Sequence, residues 1–290
     1  MEICRKAALS RHLKRMRSAC PAGTYDFAPE TWEHPNEMEA FRKHCKAHPG
    51  GSYIVKPAAG AMGRGIYLTR GPDGIDHKHE SAMVVQRYVS RPLLVDGYKF
   101  DLRVYALVTC VEPLTVYVYE EGIARFATTR YQKPTAANLH SKTMHLTNYS
   151  LNKHSADFVH TETDDEGTKR ALSALWKDLR AKGHDVDALW TRLERLVDRT
   201  IGAMRHAVRD AAVANRAHPE MCFQGAFCTL VPIRPRSRGE RRFLRTFPGV
   251  SLRPPVAFNP RPRRLSTPTD AFQLHPDVRS YGTTQSRSSR

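Results

Sequence analysis

Lys99, Asp101 and Arg103 stand at alternate positions of one run and are the first residues in this chain that could do chemistry together. The run from Lys99 to Cys110 alternates as a half-buried strand does. Phe100, Leu102, Val104, Ala106, Val108 and Cys110 form its apolar face, and the three charged residues share the other with Tyr105, Leu107 and Thr109. Two cations around one carboxylate suit the oxygens of a phosphate. The same pattern also serves as an ordinary solvated strand face, so the flanking segments must decide. One of them, Ser52 to Pro57, reads as a strand that ends in Lys56 and runs through Ala58-Ala59-Gly60-Ala61-Met62-Gly63-Arg64-Gly65 into a second strand at Ile66. Glycines let backbone N–H groups come close to phosphates. The unit therefore reads either as a plain hairpin or as a lid over a nucleotide, with Lys56 a point charge on phosphate. It is neither a Walker loop nor a dinucleotide turn, because no Gly-Lys-Ser/Thr opens a helix and a strand follows.

The elements that must position these residues are mostly strands. Met83 to Val89 is one, closed by Ser90-Arg91-Pro92. Leu114 to Glu120 alternates, Glu121-Gly122 reads as a turn, and Ile123 to Ala127 as the returning strand. His145 to Lys153 is dense in hydrogen-bonding side chains without a period, either a capped turn or a binding loop. Before the strands, Leu9, Leu13 and Met16 predict a short basic amphipathic helix, and residues 21–51 read as loops with short helices. After them the pattern turns helical from Thr168, with Leu172, Leu175, Trp176 and Leu179 on one stripe that ends near Gly183. A second helix opens near Asp185 or Asp187 and carries Leu189, Trp190, Leu193, Leu196, Val197, Ile201, Met204 and Val208. Such stripes are core-facing.

The 290 residues suffice for one large domain or two small ones, and 40% apolar content allows a real core. The six cysteines form no Cys-x-x-Cys pair, which argues against zinc, and Cys110 reads as a buried reduced thiol. The polar, basic start carries no leader-like apolar run, and no stretch nears the ~18 apolar residues of a membrane span; an intracellular soluble protein with no membrane partner is expected. The net charge of +17 calls for an acidic partner. Ten of those charges come from residues 229–290, which hold thirteen arginines, no lysine, three acids and nine of the 19 prolines. That composition reads as a disordered basic tail. Aromatics do not interleave with its arginines, so nucleic acid ranks behind an acidic protein as partner.

Taken in order, these segments resemble the tubulin tyrosine ligase-like family of the ATP-grasp fold, and within it the polyglutamylases. The resemblance runs from about Glu2 to Phe223. It rests on Tyr53-Ile54-Val55-Lys56-Pro57, Gly63-Arg64-Gly65-Ile66, Val85-Gln86-Arg87-Tyr88-Val89, Lys99-Phe100-Asp101-Leu102-Arg103, Glu121-Gly122-Ile123-Ala124-Arg125-Phe126-Ala127 and His145-Leu146-Thr147-Asn148-Tyr149-Ser150. It implies an α+β fold of mostly antiparallel sheets with flanking helices. It also implies an ATP-dependent ligase that activates a glutamate side chain of a tubulin tail as an acyl phosphate and joins it to the amine of free L-glutamate. Carried over residue by residue, Lys56 would touch the ATP phosphates and Arg64-Gly65 would sit in the lid. Gln86, Arg87, Tyr88 and Val89 would form the hinge strand beside adenine, and Lys99, Phe100, Asp101, Thr147 and Asn148 would contact the nucleotide. Arg103 would face the transferring phosphoryl group, and Arg125, Tyr149, Ser150 and Lys169 would hold the incoming glutamate. Cytoplasm and cytoskeleton, including cilium or basal body, follow as the implied location.

The chain departs from the family after Cys222-Phe223. Family members carry an Asp on the next strand and a Glu-x-Asn on the one after, which together bind magnesium. Here Gln224-Gly225-Ala226-Phe227-Cys228 and the Arg/Pro tail offer neither. The expectation is a domain over 1–228 that is C-terminally incomplete, without the strands or the ligands of the metal site, followed by the tail. Magnesium is implied by the resemblance although no ligand for it is found. Two functions stay open: a tubulin glutamate ligase, or a catalytically incomplete nucleotide- or microtubule-binding fragment.

Overall fold

The computed structural model describes residues 4–76, 82–160, 163 and 166–214, together with the backbone of 224–230. The basic segment beyond 230, Cys222 and Phe223 lie outside the described residues.

Helix α1 spans Lys6–Ala19, strand β1 Thr31–His34 and helix α2 Met38–Ala47. The hairpin of β2 (Tyr53–Pro57) and β3 (Tyr67–Thr69) encloses the glycine-rich loop, and β4 covers Met83–Arg87. These strands form a four-stranded antiparallel sheet in the order β1-β4-β2-β3. β1 was not expected, since residues 21–51 read as loops. Four residues are too few for a period to declare itself, and this strand exists because β4 offers it an edge: Thr31 pairs with Gln86 and His34 with Met83. One face of the sheet buries Trp32, Tyr53, Val55 and Val85 against Met38 and Phe41 of α2.

The second sheet is built on β6 (Tyr98–Val111) and β7 (Leu114–Phe126), joined by Glu112-Pro113. β5 (Leu94–Val95) and β9 (Gln224–Leu230) pair with the free edge of β6, and β8 (Lys169–Ala171) with that of β7. Behind the sheet pack α5 (Leu172–Ala181) and α6 (Val186–Ala203). Phe100, Leu102, Val104, Ala106 and Val108 of β6 meet Leu172, Leu175, Leu179, Leu193, Val197 and Ile201 there in the main core. A smaller cluster joins Val111 to Met204 and to Val208 and Ala212 of α7 (Arg205–Ala214). Two short helices, α3 (Lys142–His145) and α4 (Tyr149–Asn152), turn the segment that was dense in polar side chains. The α+β class with antiparallel sheets and flanking helices is as expected. No helix of the described residues is long and apolar enough to cross a membrane.

Five local expectations are corrected. Glu121-Gly122 is no turn: β7 continues through it as one strand of 13 residues, with a shift of register against β6 between Val104↔Gly122 and Ala106↔Val118. Gly122 is there because a Cβ would collide with the Arg103 carbonyl of β6. Glu121 serves a different end, since its Oε1 accepts the N–H groups of Leu172 (2.8 Å) and Ser173 (3.1 Å), the open first turn of α5. The helix therefore starts at Leu172 rather than Thr168, and Lys169 belongs to a strand. Cys110 is half-buried instead of buried, because the β6–β7 register shifts between Val108 and Cys110 and Val111 turns inward in its place. The expected second long helix is two, broken at Met204. Finally, a strand does follow residue 223: β9 pairs along β6 from Leu102↔Leu230 to Val108↔Gln224.

Candidate active site

The pleat of β6 does what alternation requires. Phe100 and Leu102 face the core at 1% exposure, so Lys99, Asp101 and Arg103 project from the opposite side. The Phe100 ring packs 5.5 Å from that of Phe126 in the core.

The polar face of β6 meets the first sheet at two amines, Lys56, which is half-buried, and Lys99, which is buried. Lys56 Nζ donates to Gln86 Oε1 at 2.8 Å, and Gln86 Nε2 donates in turn to Thr31 Oγ1 at 2.9 Å. Lys99 Nζ donates to the Tyr88 hydroxyl at 2.9 Å and to the His145 carbonyl at 2.5 Å. Neither bond to Lys99 carries a neutralising charge. Burial pulls Lys56 down to about 8, with the nearby Lys6 ammonium adding to the drop. Burial pulls Lys99 down to about 7; Asp101 opposes the fall and Lys56 adds to it. Lys6, at the start of α1, was not anticipated from sequence. Its Nζ donates to the carbonyls of Pro57 (3.1 Å) and Gly60 (2.8 Å), which ties α1 to the glycine-rich loop beside Lys56. The signal for it was absent because Lys6 sits 50 residues upstream, among other basic residues of an amphipathic helix.

The loop that carries Arg64 and Gly65 is docked rather than open. Gly63 adopts a positive φ of 79°, and a Cβ there would press on the Asn148 side chain at 3.0 Å. Ser150 Oγ donates to the Met62 carbonyl at 2.5 Å. The structure thus brings Arg64-Gly65, Asn148 and Ser150 together, with Thr147 buried beside them. Asn152 braces this turn: its Oδ1 accepts from the N–H (3.1 Å) and hydroxyl (3.0 Å) of Thr128, and its Nδ2 donates to the Leu146 carbonyl at 2.8 Å. Asn152, fully buried, is a second residue that sequence reading did not single out.

Arg125 and Lys169 meet through strand register. Asp101 on β6 pairs with Arg125 on β7, and Arg125 with Lys169 on β8, so the three side chains form one row across the sheet. Arg125 holds both Asp101 oxygens, Nε to Oδ1 at 2.8 Å and Nη2 to Oδ2 at 2.6 Å. Asp101 and Arg125, expected to touch different ligands, therefore bind each other. Lys169 and Tyr149 are exposed at the end of this row and beside the Ser150 turn. The hinge residues divide. Gln86 faces Lys56, Tyr88 faces Lys99 and Val89 is buried behind them, whereas the Arg87 side chain turns away to Glu30 at 3.0 Å. The N–H groups of Arg87 and Tyr88 are already bonded to the carbonyls of Glu30 and Ser52, both at 2.8 Å.

A groove of about 630 Å³ lies elsewhere, lined by Tyr119, Trp176, Arg180, Asp187 and Trp190. Its ions Arg180 and Asp187 pair with each other at 2.9 Å in solvent, and it contains neither of the two amines, so chemistry rather than concavity locates the site. No group of three or more His, Cys, Asp or Glu placed to hold a metal occurs among the described residues.

Residues 1–225 match the Tubulin-tyrosine ligase family. Tubulin polyglutamylase ttll6 of Danio rerio is 39% identical over 226 residues, which cover 77% of this chain and 28% of that protein. Tubulin polyglutamylase TTLL13 of Mus musculus is 42% identical over 212 residues, 72% of this chain and 26% of its own. Tubulin polyglutamylase TTLL7 of Mus musculus is 41% identical over 204 residues, 69% and 22% respectively. The chain spans about a quarter of the length of the curated relatives it matches. With more than three quarters of its length matched in one continuous stretch, and with strands that bring the shared segments to one site, the chain belongs to the tubulin-tyrosine ligase family.

Proposed function

We propose that this chain is the catalytic part of an ATP-dependent ligase that adds L-glutamate to glutamate side chains of tubulin tails. The observation that carries the reading is the meeting of two lysine amines without a neutralising hydrogen-bond partner where the two antiparallel sheets converge, half-buried Lys56 bonded to Gln86 and buried Lys99 bonded to Tyr88 and the His145 carbonyl. A polyphosphate relieves both at once, and a carboxylate alone carries too little charge to do so. ATP supplies the phosphoryl group that turns a tail carboxylate into an acyl phosphate, which the amine of free glutamate attacks to form the amide. Lys56, Lys99 and Lys6 hold phosphate oxygens; Arg64-Gly65, Thr147 and Asn148 close the loop side. Arg103, on the same face of β6, offsets charge on the transferring group. Arg125 and Lys169 supply cationic groups for the carboxylates of the incoming glutamate, beside Tyr149 and Ser150. Microtubules are the partner and the cytoskeleton, including cilium or basal body, the location that suits this substrate.

Magnesium does not fit the described residues. Asp101, the carboxylate nearest the amines, has both oxygens on Arg125, and the β9 sequence Gln224–Leu230 holds no acid. No step is derived through the metal. This observation favours a second reading, a unit that binds nucleotide or microtubules without catalysis. Incubation of the chain with microtubules, ATP, magnesium and labelled glutamate separates the two. Incorporation that disappears in Lys56→Ala or Arg103→Ala supports the ligase. Binding to ATP or to sedimented microtubules without incorporation supports the second reading, and no incorporation with no binding to either overturns both.

A further inference from the structure

Lys99 is held from behind by a chain of hydrogen bonds whose direction can be worked out. The Asn138 carbonyl lies 3.0 Å from His145 Nε2 and can only accept, so Nε2 carries the hydrogen. In the neutral ring Nδ1 is then an acceptor, and burial, with the nearby Lys99 charge, keeps His145 below the usual histidine range. The Tyr88 hydroxyl, 3.1 Å from Nδ1, must donate to it, which leaves the phenol oxygen to accept from Lys99 Nζ at 2.9 Å. The His145 carbonyl accepts a second Lys99 hydrogen, and the lysine nitrogen sits 4.5 Å from the centre of the Tyr88 ring. Two substituents of Nζ are thus spoken for. The third direction carries either a lone pair or a proton.

We propose that Tyr88 and His145 are positioning residues for Lys99, a directed chain that fixes two of its hydrogens and aims the remaining position at an anion bound between the sheets. The inference rests on the reading of Lys56 and Lys99 as a phosphate site. It has a protonic consequence. With no anion, Lys99 is neutral in a large share of molecules at pH 7 and above; when phosphate arrives, the amine takes a proton from solvent and becomes the ammonium. The groups that face it set the balance: Tyr88 and Tyr131 behind it, His145 from α3, Asp101 beside it on β6 and Lys56 from β2. The phenol cannot supply the proton, since burial and the neighbouring Tyr131 push Tyr88 well above the ordinary tyrosine range.

The test is a pH titration of Lys99 by NMR in protein labelled with carbon-13 at lysine Cε, the resonance assigned by its absence in Lys99→Arg. The wild-type midpoint is expected near 7. Tyr88→Phe removes an acceptor for the ammonium and should lower the midpoint by about one unit. His145→Gln keeps a donor toward Asn138 but loses the acceptor at the Nδ1 position. The phenol is then free to donate to the neutral amine, and the midpoint falls as well. His145→Asn keeps an acceptor at Nδ1 and should titrate within a few tenths of wild type. An unmoved midpoint in folded Tyr88→Phe overturns the proposal, as does His145→Asn titrating like His145→Gln. The titration uses no nucleotide. In parallel, calorimetry of ATP binding at pH 8.5 in two buffers of different ionisation heat should register proton uptake by wild type. Absence of ATP binding with the midpoint shifts intact would overturn the phosphate reading alone, and binding without proton uptake would overturn the protonic link.

Discussion

At the scale of single residues, burial decides what a charge does. Arg87 and Lys99 are both cations of the first half of the chain, yet Arg87 pairs with Glu30 in solvent and Lys99 is 5% exposed with neutral partners. Exposed pairs contribute about 0–1 kcal/mol; a buried amine without a counter-charge costs the fold free energy that a ligand returns. Lys56→Ala or Lys99→Met should therefore weaken ATP binding at least tenfold while leaving the melting temperature equal or higher, which calorimetry and thermal unfolding would read together. Arg125 behaves in the opposite way, because its partner Asp101 has a side chain only 10% exposed. Arg125→Ala strands that carboxylate and should cost about 3 kcal/mol. The Asp101→Ala/Arg125→Ala double variant should cost less than the sum of the singles in denaturant unfolding. Additivity within a few tenths would show that the pair does not matter to the fold.

At the scale of elements, β7 ties its sheet to α5. Glu121 caps α5 from a neighbouring strand, accepting backbone N–H groups that no residue of the helix's own N-terminus accepts. The backbone bonds hold its carboxyl below the usual range against the opposing effect of burial. Glu121→Ala should cost about 1–2 kcal/mol of stability, and much of that should survive in Glu121→Gln, whose amide oxygen can still accept. Gly122 next to it lets the β6 and β7 backbones approach. Gly122→Val places a branched side chain against the Arg103 carbonyl, which must move. The expected outcome is a loss of at least about 2 kcal/mol in unfolding measurements.

For the molecule as a whole, the two amines make stability depend on pH with a definite sign. Lys56 and Lys99 titrate at about 8 and about 7 in the fold, against 10.5 ordinarily. Between pH 7 and 10 the unfolded chain therefore binds protons that the folded chain lacks, and stability rises with pH through that window. Well below pH 7 both states are protonated, and the cost of holding the two ammonium ions in the fold is fully present. The melting temperature of the ligand-free protein should climb from pH 6.5 to 9.5, and the climb should shrink in the Lys56→Met/Lys99→Met variant. An equal climb in both would assign it to the net charge of +17 instead.

Much of this protein was legible in one dimension. Alternation along β6 separated Lys99, Asp101 and Arg103 from Phe100 and Leu102, because the strand period is a local property of the backbone and any buried sheet must obey it. The glycine-rich hairpin and the helical stripe of Leu172, Leu175 and Leu179 followed from equally local rules. Order of segments along the chain was enough for the family. What the tertiary structure alone decided is who meets whom. Asp101 binds Arg125, and Arg125 neighbours Lys169, through registers 24 and 44 positions apart in sequence. Lys6 reaches the glycine-rich loop from α1, and Glu121 caps a helix 51 residues away. Tyr88 and His145 stand behind Lys99 only because two sheets and a short helix converge there. Gly122, which spells a turn by composition, lies mid-strand because the neighbouring carbonyl leaves room for nothing larger. Sequence patterns report which face of an element a residue occupies; partners, desolvation and therefore protonation belong to the packing of elements against each other.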